Sequence, residues 1–246
     1  MQDDGFFDDR IAATYDADTI DQSETIDEAI DLLSSLAETG RALELAIGTG
    51  RLALPLAARG IEVQGIDLSR AMIAKLRSKP GGETLKISVG DMTTVRMEGT
   101  FQLVFLAFNT ICNLTSQDAQ IACFQNAARH LAAGGCFLIE APIPPLQRLP
   151  RGETRLAFDQ SDTHWGIDEF DVATQAFTSH HIWNRDGRIE TVSIPFRYVW
   201  PSELDLMACL AGLAPEARWS NWACAPFSAQ SESHISVWRK LGSALR

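Results

Sequence analysis

The sequence of 246 residues has no apolar run near the ~18 residues of a membrane-spanning helix, so no helical membrane anchor is expected. It has no basic cluster either. The net charge is −11, and nucleic acid, whose phosphates demand grouped Lys and Arg, is not an expected partner. Its five cysteines (Cys112, Cys123, Cys136, Cys209, Cys224) form no C-x-x-C pair and no metal-like spacing. That excludes a disulfide framework and fits reduced thiols of a cytoplasmic protein. The first ten residues, MQDDGFFDDR, lack both a basic region and an apolar stretch, so no secretory signal is expected. No internal repeat and no low-complexity linker interrupt the chain. Tryptophan is missing from the first 160 residues; all six (Trp165, Trp183, Trp200, Trp219, Trp222, Trp238) come later.

Apolar residues make up 46%, enough for a substantial core. The charge is unevenly placed. Residues 1–40 carry twelve acids and one base, Arg10, while the remainder carries twenty of each sign. An acidic solvated face explains this, and a rim favouring cationic substrates is the sharper alternative.

Periodicity divides the chain. DQSETIDEAIDLLSSLAE spaces Ile26, Ile30, Leu33 and Ala37 as an amphipathic helix. RALELA, IEVQGIDL, LKISVGDM, FQLVFLAFN and CFLIEAP read as strands. GRLALPLAARG, SRAMIAKLRSK (Ser69 as N-cap) and SQDAQIACFQNAARHLAAGG, closed by its glycine pair, read as intervening helices. Alternating strands and helices predict an α/β fold, a doubly wound, mostly parallel seven-stranded sheet. After Pro142 the rhythm changes to β-type runs, then a helix in PSELDLMACLAGL and closing strands in EARWSNW and HISVWRK. The expected organisation is an acidic helical lid (1–40), an α/β core (41–143), an antiparallel β insertion covering the acceptor (144–200), and a closing helix and hairpin (201–246).

The stretch LELAIGTGRLALPLA ends a strand in a turn with Gly48 and Gly50, where absent Cβ atoms allow a tight bend and close ligand approach. GTGRLA also satisfies the dinucleotide pattern G-x-G-x-x-A. Asp67 ends the second strand, suited to ribose hydroxyls of either cofactor class. Glu44 inside the first strand is unusual for a dinucleotide site. Asp91, after the third strand, can accept from an adenine amino group.

Taken together, LELAIGTGRLALPLA, GIDLSRAM, VGDM, FLAFNTICNL and LAAGGCFLIEAP resemble the successive motifs of class I S-adenosylmethionine (SAM)-dependent methyltransferases, in order and spacing over Leu43 to Pro142. Within them the chain looks like the small bacterial enzymes that methylate small molecules or peptide ends. Ala46-Ile47 departs from the Gly-Cys of many relatives and leaves less room at the turn. The resemblance implies SAM as cofactor, with Gly48 and Gly50 backing its methionine portion and Ala46 beside them. It implies Glu44 organising the loop or accepting from the ammonium through water, Asp67 on the ribose, Leu68 and Met72 beside the adenine, and Asp91 and Met92 at the adenine edge. Ala107 and Phe108 would offer backbone to the methionine ammonium, and Tyr15 would close over SAM. Arg51 is a candidate partner of the SAM carboxylate; a solvated helix charge is its other reading. A SAM-binding regulator or partner subunit without activity, and an NAD(P)-dependent oxidoreductase, stay open as alternatives.

The acceptor is expected in the aromatic half, with Asn109, Trp183, Arg197, Tyr198 and Trp200 as candidate contacts. Asp186-Gly187 signals a two-residue hairpin turn, which makes paired residue numbers sum to 373. His181, Phe177, Ser179 and Trp183 then share a face with Val192, Ile194 and Phe196, while His180 faces away. His181 is the catalytic candidate, the imidazole best placed to take a proton or orient the acceptor; a hydrogen-bonded core or interface histidine is its other reading, and Arg197 or His234 could serve instead. His164 and Asp168 lack a third ligand, so no metal is expected. The expected partner is a small-molecule or peptide-end acceptor, not nucleic acid and not a membrane; a homodimer is left open.

Overall fold

The computed structural model describes residues 6–18, 25–185 and 187–242. Two helices open the chain, α1 (Asp9–Asp18) and α2 (Ile26–Ala37). β1 (Ala42–Leu45), α3 (Ala53–Ala58), β2 (Val63–Asp67), α4 (Arg70–Arg77), β3 (Lys86–Val89), β4 (Phe101–Leu106), α5 (Gln117–His130) and β5 (Leu131–Pro142) follow. Then come β6 (Arg155–Gln160), β7 (His164–Asp171), β8 (Ala176–Arg185), β9 (Arg188–Arg197), α6 (Pro201–Leu210), β10 (Leu213–Trp219) and β11 (Ser233–Lys240). Seven strands form one sheet in the order β10-β11-β5-β4-β1-β2-β3, and β6 to β9 form a second, antiparallel sheet in chain order. In the first sheet only β11 runs against its neighbours β5 and β10. No helix among the described residues is long and apolar enough to cross a membrane.

The central strands are buried on both faces, as parallel sheets covered by helices require. All four residues of β1 and all five of β2 are buried. Leu43 and Leu45 join the core under α5 and α6, whereas Ala42 joins the one under α2 and α3. α2 buries Ala29, Ile30, Leu33 and Ala37 in that second core, so it is a layer of the fold and not part of a lid. Of the two opening helices, it is α1 that approaches the ligand cavity described below.

Ser69 caps α4 by accepting from Met72 N at 3.1 Å. α5 ends at His130, earlier than its glycine pair, because Leu131 already pairs with Phe101 of β4. Gly135 serves that approach instead: a Cβ there would stand 2.9 Å from the carbonyl oxygens of Phe101 and Gln102.

The second sheet keeps the expected register. Arg185 pairs with Arg188, His181 with Val192, Ser179 with Ile194 and Phe177 with Phe196, without a bulge. Asp186 of the turn lies outside the described residues. On the outer face, His180 Nδ1 is 2.8 Å from Ser193 Oγ, and Thr191, Ser193 and Pro195 are exposed.

Candidate active site

A cavity of about 1180 Å³ lies between the C-terminal ends of the parallel strands and the inner face of the antiparallel sheet. From the parallel half it is lined by Ala46, Gly48, Asp67, Leu68, Met72, Asp91, Met92, Phe108 and Asn109. From the other half come Phe158, Asp168, Phe170, Phe177, Ser179, His181, Ile194, Phe196 and Tyr198.

The turn after β1 is built on backbone that most side chains resist. Gly48 has φ +55° and Ala46 φ +54°, both left-handed. Gly48 N donates to Asp67 Oδ2 at 2.6 Å, and Ser69 N donates to Asp67 Oδ1 at 2.8 Å. The carboxylate at the end of β2 thus ties the two ligand-facing loops together. Asp91 Oδ1 accepts from the N and Oγ1 of Thr93, both at 2.7 Å. After β4, Phe108 and Asn109 also have left-handed φ, +57° and +58°, and Phe108 N donates to Glu140 Oε2 at 2.8 Å.

The N-terminal segment closes one side. Tyr15 and Phe7 line the cavity. Thr49 Oγ1 donates to Asp16 Oδ1 at 2.6 Å, Lys79 Nζ meets Asp16 Oδ2 at 2.7 Å, and Ser69 Oγ donates to the Phe7 carbonyl at 2.6 Å. α1 is thereby held on the glycine turn and on α4.

These residues suit a nucleoside with an amino-acid tail: bare backbone at Gly48, carboxylates ending β2 and following β3, and apolar Leu68, Met72 and Met92 beside them. A family model described as a methyltransferase domain matches residues 42–135. The putative methyltransferase YqeM of Bacillus subtilis is 32% identical over 109 residues, and the match spans 44% of each chain. CalS10 from Micromonospora echinaspora, an amino pentose methyltransferase solved with SAM bound, superposes with TM-score 0.67 at 21% identity, covering 87% of this chain and 91% of that one. The CcbJ methyltransferase of Streptomyces caelestis is 36% identical, with TM-score 0.79 over 87% of this chain and 89% of that one. This chain belongs to the class I SAM-dependent methyltransferases.

The cofactor of this methyltransferase is SAM, and the dinucleotide reading is set aside. Four residues expected at the cofactor do not line the cavity. Gly50 is required by packing: a Cβ there would stand 2.8 Å from Leu76 Cγ of α4. Glu44 is buried under the turn, where desolvation and the nearby Asp67 push its carboxyl well above the usual range. The Arg51 guanidinium stacks on Phe108, 3.1 Å from the ring centroid, and burial lowers its pKa. The Ala107 carbonyl accepts from Thr110 Oγ1 at 2.7 Å.

Of the residues expected at the acceptor, Asn109, Tyr198 and His181 line the cavity, whereas Arg197, Trp183 and Trp200 do not. Neighbours on a strand face opposite sides, so Arg197 and Tyr198 cannot both point inward. Arg197 is buried in an ion pair with Glu203 at 2.7 Å and bonds to Gln175 and Gln120. Trp200 follows the end of β9, where alternation lapses, and precedes α6. Trp183 lies parallel to the rings of His164 and His181, 5.1 Å from each centroid. His234 pairs with Ala141 inside the main sheet and is fully buried, away from the cavity.

Sequence reasoning put Ser179 on the cavity face with His181 but passed over Phe158 and Asp168 as cavity groups. Asp168 stands opposite Ser179, and Gly166 opposite His181. Extending the hairpin register to a third strand would have found Asp168, but the loop between β7 and β8 contains no sharp turn signal to fix that register. Phe158 sits at a β6 bulge that defeats alternation. Among the described residues no group of His, Cys, Asp or Glu is arranged to hold a metal ion.

Proposed function

We propose that this methyltransferase moves the SAM methyl to a nitrogen or oxygen atom of a small molecule or peptide end, enclosed between the cofactor turn and the antiparallel sheet, in the cytoplasm. The observation that carries the reading is the cavity shared by the two halves, with Asp67 and Asp91 at one side and His181 at the other. Gly48, Asp67, Leu68, Met72, Asp91, Met92 and Phe108 would hold the cofactor, and Tyr15 would cover it. Bound SAM supplies a methyl group on a sulfonium, already a good leaving group. The protein's share is therefore mainly positioning, worth up to ~7–11 kcal/mol, and removal of a proton.

His181 is the cavity imidazole suited to that proton. Burial lowers its pKa, and neighbouring His164 lowers it further, so it is neutral and basic near pH 7. Asp168 favours an acceptor with a hydrogen-bond donor, above all an amine. Its Oδ1 is buried without a partner, a state that costs ~1–3 kcal/mol until a donor arrives. Phe170, Phe177, Phe196 and Tyr198 supply the apolar remainder.

Two measurements test the reading. Calorimetry should show micromolar or tighter binding of SAM and its demethylated product, and negligible binding of NADH. Incubation with methyl-labelled SAM and a cell extract, fractionated by size, should label a small soluble product. Label found only in large proteins, or tight NADH binding without SAM binding, would overturn it.

A further inference from the structure

The inner face of the antiparallel sheet carries a chain of hydrogen bonds that the cofactor half does not use. Asp159 Oδ2 is 2.7 Å from His164 Nδ1. His164 Nε2 is 3.0 Å from His181 Nδ1, and His181 Nε2 is 3.2 Å from Ser179 Oγ. The two imidazole planes lie within 10° of each other, so the rings meet edge to edge, nitrogen to nitrogen. Trp183 lies parallel to both, and Phe158 stands edge-on to His164 and His181 at 6.2 and 5.3 Å. Gly166 makes room for that cover: a Cβ there would come within 2.2 Å of the Phe158 ring. The chain runs from partly exposed Asp159, whose side chain is 37% accessible, through His164 at 18%, into the cavity.

The polarity of this chain follows from its outer end. An ionised carboxylate only accepts. Hydrogen bonding to His164 holds the Asp159 carboxyl below the usual carboxylate range, so Asp159 is charged and His164 Nδ1 carries a proton. With its ring proton on Nδ1, His164 presents the Nε2 lone pair, and His181 Nδ1 is the donor to it. His181 Nε2 is left as a lone pair at the cavity. The Ser179 hydroxyl, with one proton to give, has two acceptors in reach: that lone pair and the Asp168 carboxyl directly across the strand pair.

We propose that Asp159 and His164 are positioning residues that hold His181 in the tautomer with Nε2 open to the acceptor. The inference rests on the reading of His181 as the proton-accepting group. In the transfer step the acceptor–methyl bond forms as the methyl–sulfur bond breaks, its electron pair staying on sulfur. The acceptor's proton passes to His181 Nε2, and Ser179 turns its own proton to Asp168. The imidazolium charge is shared through His164 with the Asp159 carboxylate, and the proton returns to water when the product leaves. His180, on the outer face within 3.6 Å of Glu169, has no part in the chain. The other charged groups lining the cavity are Asp67, Asp91, Arg148 and Glu232.

Asp159→Asn tests the chain with little change of shape. Asp159 Oδ1 accepts from Ser161 N at 3.0 Å, so an asparagine keeps its oxygen there and presents its NH2 to His164. Both tautomers should then invert, leaving a donor where the cavity lone pair was. Long-range proton–nitrogen NMR of the labelled full chain, loaded with demethylated cofactor, should show His164 and His181 protonated on Nδ1 in the wild type. Both should be protonated on Nε2 in Asp159→Asn, with cofactor-product affinity within about threefold. A wild-type His181 protonated on Nε2, or a His181 tautomer unmoved by the substitution, overturns the proposal. The wild-type spectrum alone decides the first point, so an unstable variant does not spoil the test. Failure of the wild type to bind the demethylated cofactor would sink the enzyme reading instead and is measured separately by calorimetry.

Discussion

The two sheets that face each other across the cavity are built on opposite terms. In the parallel sheet β1 and β2 are buried throughout, and contact with the ligand is left to the turns at their ends, where Ala46, Gly48, Phe108 and Asn109 adopt left-handed backbone. In the antiparallel sheet the strand faces themselves make the wall. Phe177, Ser179 and His181 of β8 line it with Ile194 and Phe196 of β9, and the opposite face meets water. A site made of turns depends on backbone conformation and a few carboxylates, which tolerate one cofactor. A site made of a strand face depends on side-chain choice at every second position, which can be revised without disturbing the core. Under the proposed function, the difference lets a generic cofactor half and a specialised acceptor half coexist in one fold.

The division predicts a split between substitutions on the two sides. His181→Ala should lower turnover of the labelled acceptor by about 10²-fold or more, the range for losing a general base, and leave SAM affinity within about threefold. Asp67→Ala should do the reverse in binding, weakening SAM by ~1.5–3 kcal/mol through loss of charge-assisted hydrogen bonds, including the tie to Gly48 N. Turnover assays and calorimetry on both variants check this. Loss of SAM affinity in His181→Ala would mean that the two walls are not separable.

The two halves also differ in how much of them a reader of the sequence can find. The cofactor half is legible because its signals are local: a strand, a turn with Gly48, a carboxylate at a strand end, each a few residues apart. Even so, Gly50 belongs to α4 packing and Glu44 to the buried floor, since a motif does not say which of its members face the ligand. The acceptor half was legible only where a turn fixed the register. Asp186-Gly187 put His181 inside and His180 outside. It said nothing of Asp159, His164 and Asp168, which arrive from strands joined by longer loops. Arg197 was misplaced because its partners Gln120, Gln175 and Glu203 come from three separate segments, 77, 22 and 6 residues away in sequence.

A second contrast lies between two histidines. His181 meets a cavity, whereas His234 is sealed in the main sheet, its Nδ1 2.8 Å from Ser236 Oγ. Burial, with help from Arg218, pushes the His234 pKa down to about 4. Its folded-state pKa lies below the unfolded value of roughly 6.5, so the unfolded chain takes up a proton that the native chain refuses. Stability is therefore full above the unfolded value and falls as pH drops towards 4, by on the order of 3 kcal/mol from this residue. Denaturant unfolding of the wild type and His234→Gln at a series of pH values should show the wild type losing more over that window. Parallel curves would mean that His234 is charged in the native state.

The smallest effect tests whether the cofactor turn is built under strain. Ala46 holds φ +54° where a glycine would be unstrained. A residue with a Cβ in the left-handed region costs ~1–2 kcal/mol, and Gly→Ala at positive φ destabilises by more than the ~0.4–1 kcal/mol it gains through the unfolded chain. Against this, Ala46 is partly buried against the core under α5, so removing its methyl gives up part of the ~0.8 kcal/mol of a buried carbon. Relief of the backbone outweighs that lost packing. Ala46→Gly should stabilise the protein by about 0.5–1 kcal/mol, a rise in Tm of roughly 1–3 °C for a chain of this size. Ala46→Val should move Tm down instead, because a β-branched residue suits this backbone least. Calorimetric melting of the two variants decides it: a lower Tm for Ala46→Gly would show that the methyl's packing outweighs the backbone strain at the turn.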